Sequence, residues 1–128
     1  MGFHTKFLVF TDLHVDIMPD SVARLQVILE AAEKHQVDFL LNLGDMMYPD
    51  VDFLQEHAPE SIALREEHAW FVCDRDDEKK AIAKMLQDCG RPLYSVLGNH
   101  DIDSCTKKTA CLYFHMPSPY YYFDQGGV

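Results

Sequence analysis

Leu93-Tyr94-Ser95-Val96-Leu97-Gly98-Asn99-His100-Asp101 reads as a largely apolar strand that ends on a glycine and runs straight into polar ligands. Asn and His are poor strand formers but good donors to metals and phosphates, so their place after a buried strand points to a site rather than to packing. Two further runs end the same way. Phe7-Leu8-Val9-Phe10 leads to Asp12-Leu13-His14, and Phe39-Leu40-Leu41-Asn42-Leu43 leads to Gly44-Asp45. In open α/β sheets, ligands gather beyond the carboxyl ends of parallel strands. The three clusters are therefore predicted to converge, although 87 positions separate Asp12 from Asn99. A metal centre is the leading expectation.

Between the first two runs the spacing predicts a helix. Asp20 or Ser21 offers an N-cap, and Val22, Leu25, Ile28, Leu29 and Ala32 recur on one face over 21–35. Strand, helix and strand in roughly thirty residues make one βαβ unit. Its strands, 6–11 and 38–43, have continuous apolar centres, Phe7–Phe10 and Phe39–Leu41, as strands covered on both faces do. Residues 46–75 are less regular: Pro49, Asp50 and Asp52 read as a loop, and Ser61 to Val72 as a helix anchored by Trp70 and Phe71. Asp76-Asp77-Glu78 opens a clearer helix through Cys89, closed by Gly90 and Pro92. The third strand follows at 93–97, and a short helix is expected within 104–115. Tyr120-Tyr121-Tyr122-Phe123 reads as a further strand entering a turn at Gln125-Gly126-Gly127. A hairpin partner would begin where the sequence stops, leaving an aromatic edge exposed. Residues 1–128 are accordingly expected to be a single, incomplete domain, the N-terminal part of a longer protein.

At 128 residues and 48% hydrophobic, the chain can bury one sizeable core. With 11 basic against 21 acidic residues, its net charge of −10 argues against nucleic acid or an anionic membrane as partner. The same balance suits divalent cations, while most of these carboxylates are ordinary solvated surface. No stretch approaches the ~20 apolar residues of a membrane span, and residues 1–6 are too short for a signal peptide. A cytoplasmic location is expected. Cys73, Cys89, Cys105 and Cys111 lack Cys-x-x-Cys spacing and read as reduced thiols.

The donor types narrow the chemistry. Carboxylates, an imidazole and an amide carbonyl in Asp12, His14, Asp45 and Asn99 suit Mn, Fe or Zn. A carboxylate such as Asp45 can bridge two cations ~3.5–4 Å apart, close enough for one to activate water while both clamp a phosphoryl group. His100 then has a second role, as proton donor to the leaving oxygen or hydrogen-bond donor to the phosphate. Asp101, next in line, is the expected carboxylate to orient and charge-stabilise that imidazole.

Asp-x-His, Gly-Asp and Gly-Asn-His-Asp in this order, each at a strand end, resemble the calcineurin-like metallophosphoesterases. The resemblance spans essentially the whole chain, including Ser118-Pro119-Tyr120-Tyr121-Tyr122-Phe123. It implies an α/β fold, the N-terminal half of a four-layer αββα sandwich with two mixed sheets. It implies Asp12 and His14 on a first metal, Asp45 bridging, Asn99 on a second metal, and His100 as the catalytic imidazole. The implied cofactors are two divalent or mixed-valence ions, and the implied substrate is a phosphomonoester or phosphodiester hydrolysed by metal-activated water. A non-catalytic binding scaffold of the same fold is the competing class, disfavoured because every expected N-terminal ligand position is filled.

Two departures qualify the likeness. Family members supply further His ligands from a later Gly-His and a Gly-His-x-His, and neither motif occurs here. The fragment alone is thus expected to bind metal weakly and to be inactive. Gly44-Asp45-Met46-Met47-Tyr48 also resembles the Gly-Asp-x-x-Tyr of purple acid phosphatases, whose Tyr ligates ferric iron. Those enzymes have Asp-x-Gly where this chain has His14, so Tyr48 either competes with His14 for one coordination position or packs at the site rim. His4, His35, His57 and His68 have no ligand partner at useful spacing and read as solvated or hydrogen-bonded.

Overall fold

The structure is a computed structural model that describes residues 4–67, 75–103 and 105–125. Three parallel strands, β1 (Phe7–Phe10), β2 (Phe39–Asn42) and β3 (Leu93–Ser95), form a sheet in the order β1-β2-β3. Phe7 pairs with Phe39 and Leu40 with Leu93, so the strand ends carrying the polar motifs lie side by side. Helix α1 (Ser21–Lys34) makes the first crossover. Helices α2 (Val51–His57), α3 (Ser61–Glu67) and α4 (Asp76–Asp88) lie between β2 and β3, and α5 (Lys107–Tyr113) follows β3.

The core fills the space between one face of the sheet and α1 and α4. Leu8 and Phe10 from β1 and Leu40 from β2 meet Leu25 and Ala32 of α1 and Ile82 of α4. This is the apolar stripe predicted for the first helix, and α1 and α4 pack against each other. At the helix start, Asp20 takes the N-cap position without capping; its carboxylate holds Arg24 at 3.0 Å instead. Arg24 in turn donates to the carbonyls of Asp12 and Leu13, and the Ser21 hydroxyl donates to Leu13 and Met18. The start of α1 thereby clamps the loop that leaves β1.

The opposite face is less covered than the sequence predicts. Phe7 and Val9 are 52% and 44% exposed, whereas Phe39, in register with Phe7, is only 6% exposed. Phe39 is roofed by Phe7, Tyr94 and Phe123, with the Phe123 ring stacked flat on Tyr94 at 3.6 Å. The aromatic segment that supplies Phe123 is not a strand, as expected for 120–123, but keeps a strand's alternation. Tyr121 and Phe123 turn inward while Tyr120 and Tyr122 stay exposed. The Tyr121 hydroxyl accepts from Ser95 N–H at 2.8 Å and donates to the Ser95 carbonyl at 2.6 Å. Those backbone groups lie on the outer side of β3, since Val96 N–H is the one that pairs with β2. A phenol thus caps an open sheet edge.

Helix α2 falls where a loop is expected. Asp50 caps it by accepting from Phe53 N–H at 3.0 Å, and Asp52 sits in its first turn. The polar residues that read as a loop are therefore a helix start. The helix predicted from Ser61 ends its described part at Glu67; its remainder, with Trp70 and Phe71, lies outside the described residues, as do Cys73, His68 and the Gly126-Gly127 turn. Cys89, Cys105 and Cys111 are free thiols. Among the described residues, no helix is long and apolar enough to cross a membrane.

Candidate metal centre

Beyond the carboxyl ends of the strands, the loops leaving β1 and β2 keep pairing. Asp12, His14 and Val15 donate their N–H groups to the carbonyls of Gly44, Asp45 and Met46 at 2.9–3.1 Å. This pairing requires a tightly curled backbone. Asp12, His14 and Asp45 all adopt positive φ, at 60°, 46° and 53°. Left-handed conformations in non-glycine residues are costly and gather at sites that the surrounding structure over-determines. Here they fall on three of the four residues predicted to hold metal.

The β2 and β3 exits are pressed together just as closely. A Cβ on Gly44, whose φ is +102°, would stand 2.7 Å from Gly98 Cα, and a Cβ on Gly98 would stand 2.7 Å from Asp45 Cγ. Only hydrogen fits at either position. The Asp45 side chain crosses this gap, one carboxylate oxygen accepting His100 N–H at 2.9 Å. Its other oxygen faces His14 Nε2 at 4.0 Å, and His14 Nε2 lies 3.1 Å from Asp12 Oδ1. One ligand atom from each of Asp12, His14 and Asp45 lies within 4.8 Å of the other two. The His100 ring stands edge-on to His14 with centroids 5.6 Å apart. Asn99 is exposed at the head of a short 3-10 turn, His100–Ile102, beside the Asp45-bound His100 amide.

The donor set fits a cation. Two carboxylates and an imidazole at mutual distances of a few ångströms form an O/N cluster of the kind borderline and hard divalent ions favour. Asp12 is already biased towards its charged form: the Thr11 hydroxyl, and then the His14 ring, hold its carboxyl below the usual range.

The part expected of Asp101 falls to Asp103. Asp101 does not touch the imidazole. It is buried, and its two oxygens accept four backbone N–H groups, from Gly98, Asp45, Met46 and Met47, at 2.8–3.2 Å. Burial pushes its carboxyl up, against these four donors. Asp103 is the carboxylate on His100, with Oδ2 2.7 Å from Nδ1. That bond comes first among the causes that raise the His100 imidazole above its ordinary value. The reason is helical geometry: with 3.0 residues per turn, position i+3 eclipses position i, while i+1 is a third of a turn away. His100–Ile102 is such a turn, so Asp103 stacks beside His100 and Asp101 points inward.

Tyr48 sits at the rim. It is buried, its backbone N–H is held by Asp16 at 2.8 Å, and its hydroxyl donates to Asp103 at 3.2 Å. Burial first, then the Asp103 charge, pushes the phenol far above its ordinary range. Asp16 also meets the fully buried Lys79 of α4 at 2.5 Å, and Lys79 lies 3.6 Å from Asp76, itself paired with Arg65 at 2.7 Å. No motif or local spacing announces this buried chain of charges. A cavity of about 640 Å³ opens elsewhere, lined mainly by Met46, Met47, Phe53, Leu86 and Tyr113. It is mostly apolar, and none of Asp12, His14, Asp45 or Asn99 lines it.

No curated protein and no solved structure matches the chain. A family model described as calcineurin-like phosphoesterase matches residues 5–127, nearly the whole length and every strand-end motif. The chain belongs to the calcineurin-like phosphoesterase family.

Proposed function

We propose that this chain is the N-terminal half of a four-layer αββα phosphoesterase, a single incomplete domain working in the cytoplasm on a phosphomonoester or phosphodiester. The observation that carries the reading is the convergence of Asp12, His14 and Asp45 within 4.8 Å beside His100. Asp12 and His14 would hold one ion, Asp45 would bridge, and Asn99 would face a second; Mn, Fe and Zn suit these donors. When bound, the cations supply Lewis acidity and an activated water. The remaining work falls to the chain: Asp45 fixes the His100 backbone through its amide, and His100 gives a proton to the leaving oxygen. Neither a membrane nor a nucleic acid is the partner, given the net charge of −10.

Two ions sharing Asp45, with Asp12, His14 and Asn99 as the other donors, have only two or three protein ligands each. Such a set is short of a full shell. Residues 1–128 by themselves should therefore bind metal weakly and turn over poorly. A scaffold without catalysis would have no use for three ligating residues held at positive φ. The test is metal analysis after loading with Mn²⁺, Fe²⁺ or Zn²⁺, paired with hydrolysis of aryl phosphate mono- and diesters. Asp45→Asn should lose both ions together, and its retention of two tightly held ions would rule out the bridge. Ordinary enzyme rates from residues 1–128 would overturn the proposed inactivity.

A further inference from the structure

We infer that Asp103 is the positioning carboxylate of the site, holding the His100 imidazole in the Nδ1–H tautomer while the Tyr48 hydroxyl anchors Asp103 from behind. The inference rests on the phosphoesterase reading for its catalytic consequence, and on geometry alone for the tautomer. A carboxylate oxygen 2.7 Å from Nδ1 can only accept, so Nδ1 carries the hydrogen and Nε2 is left as the free nitrogen. The same Oδ2 accepts the Tyr48 hydroxyl at 3.2 Å. Tyr48 is itself buried, with its backbone N–H on Asp16 and Lys79 5.9 Å from its ring centroid. Three side chains thus run from the interior to the site: a buried phenol, a carboxylate and an exposed imidazole.

This gives Tyr48 a use other than metal ligation. Its hydroxyl donates to Asp103, and while that bond stands it serves as a phenol. In the reaction, the doubly protonated His100 releases its Nε2 proton to the leaving-group oxygen and becomes the neutral Nδ1–H form. Asp103 keeps the imidazolium in place before that transfer and the correct tautomer after it. Asp101 cannot serve, because both its oxygens are taken by backbone N–H groups.

The first arm of the test needs no activity. Long-range ¹H–¹⁵N spectra of the metal-free chain, above the titration of His100, should show it as the Nδ1–H tautomer. Asp103→Ala should return it to the Nε2–H form that free imidazole prefers, and Tyr48→Phe should give a mixture. An Nε2–H signal in the unmodified chain would overturn the inference.

The second arm uses the metal-loaded full-length protein that carries this chain, and substrates with good and poor leaving groups. Asp103→Ala should lower kcat for an alkyl phosphate about 10²-fold and for a nitrophenyl phosphate only a few-fold, with KM little changed. In a His100→Ala background it should cost nothing further. An equal loss with and without His100 would sink the positioning role while leaving the phosphoesterase reading intact. The expected tautomer shift in a protein with no metal-dependent hydrolysis would do the reverse.

Discussion

The strand-exit end of the sheet and its aromatic face are built from the same three strands but held by opposite means. At the exits, backbone meets backbone, with glycines where Cβ atoms would collide and a buried carboxylate tying two loops together. On the aromatic face, rings stack on rings, and a single phenol stands in for a neighbouring strand. The first arrangement has no slack, because its contacts are between atoms that cannot change rotamer. The second is made of side chains that can be trimmed and still pack. A substitution should therefore cost most where the chain curls around the donors, and least where aromatics cover the sheet.

The sharpest break in that contrast is Gly44→Ala. The new methyl meets Gly98 backbone at a φ of +102°, so either the β2 and β3 exits part or the turn flips. The expected loss is about 4 kcal/mol or more, at the upper end for single substitutions. Urea unfolding at constant m would measure it. A loss below about 1 kcal/mol would show that the two exits are not pinned.

Asp101→Ala comes next. It leaves four N–H groups from the two exit loops without their common acceptor, and water can replace only part of that. About 3 kcal/mol of stability should go, together with the affinity for Mn²⁺, since Asp45 rides on one of those loops. Asp103→Ala is the informative contrast: it touches the imidazole and the Tyr48 hydroxyl but no backbone group, so its stability cost should be well below that of Asp101→Ala. Equal costs for the two would erase the division of labour between them.

What could be read in the sequence divides along the same line. The three parallel strands, α1, α4 and the convergence of Asp12, His14 and Asp45 are legible because they rest on period, length and the rule that strand ends share an edge, whereas the aromatic alternation at 120–123 reads as a strand and forms none. The roles of Asp101 and Asp103 are not legible in this way. Two acidic residues one position apart look alike until the local turn fixes which one points inward, and a 3-10 turn of three residues leaves no periodic trace. Helix α2 was missed for a related reason: Pro49, Asp50 and Asp52 are loop formers and helix starters alike, and only the Asp50 cap on Phe53 N–H decides. Asp50 as a cap ahead of Asp52 is the local signal that marks the helix. The pairing of Lys79 with Asp16 spans 63 positions and no motif, so nothing local announces it.

The smallest effect belongs to the aromatic face. Tyr121→Phe keeps the ring and removes only the hydroxyl, so Phe123 should stay stacked on Tyr94 and Phe39 should stay covered. What changes is the outer edge of β3, where Ser95 N–H and C=O lose the one group that served both. A buried pair of backbone groups left open costs about 1–2 kcal/mol, less to the extent that water reaches the edge. The direct readout is hydrogen exchange at the Ser95 amide, which should accelerate while Val96, bonded to Asn42 across the ladder, keeps its protection. If Ser95 exchange were unchanged, the phenol would be a bystander and the edge would be guarded by ring packing alone. If Val96 lost protection as well, the aromatic face would be as intolerant as the strand exits, and the contrast between the two regions would fail.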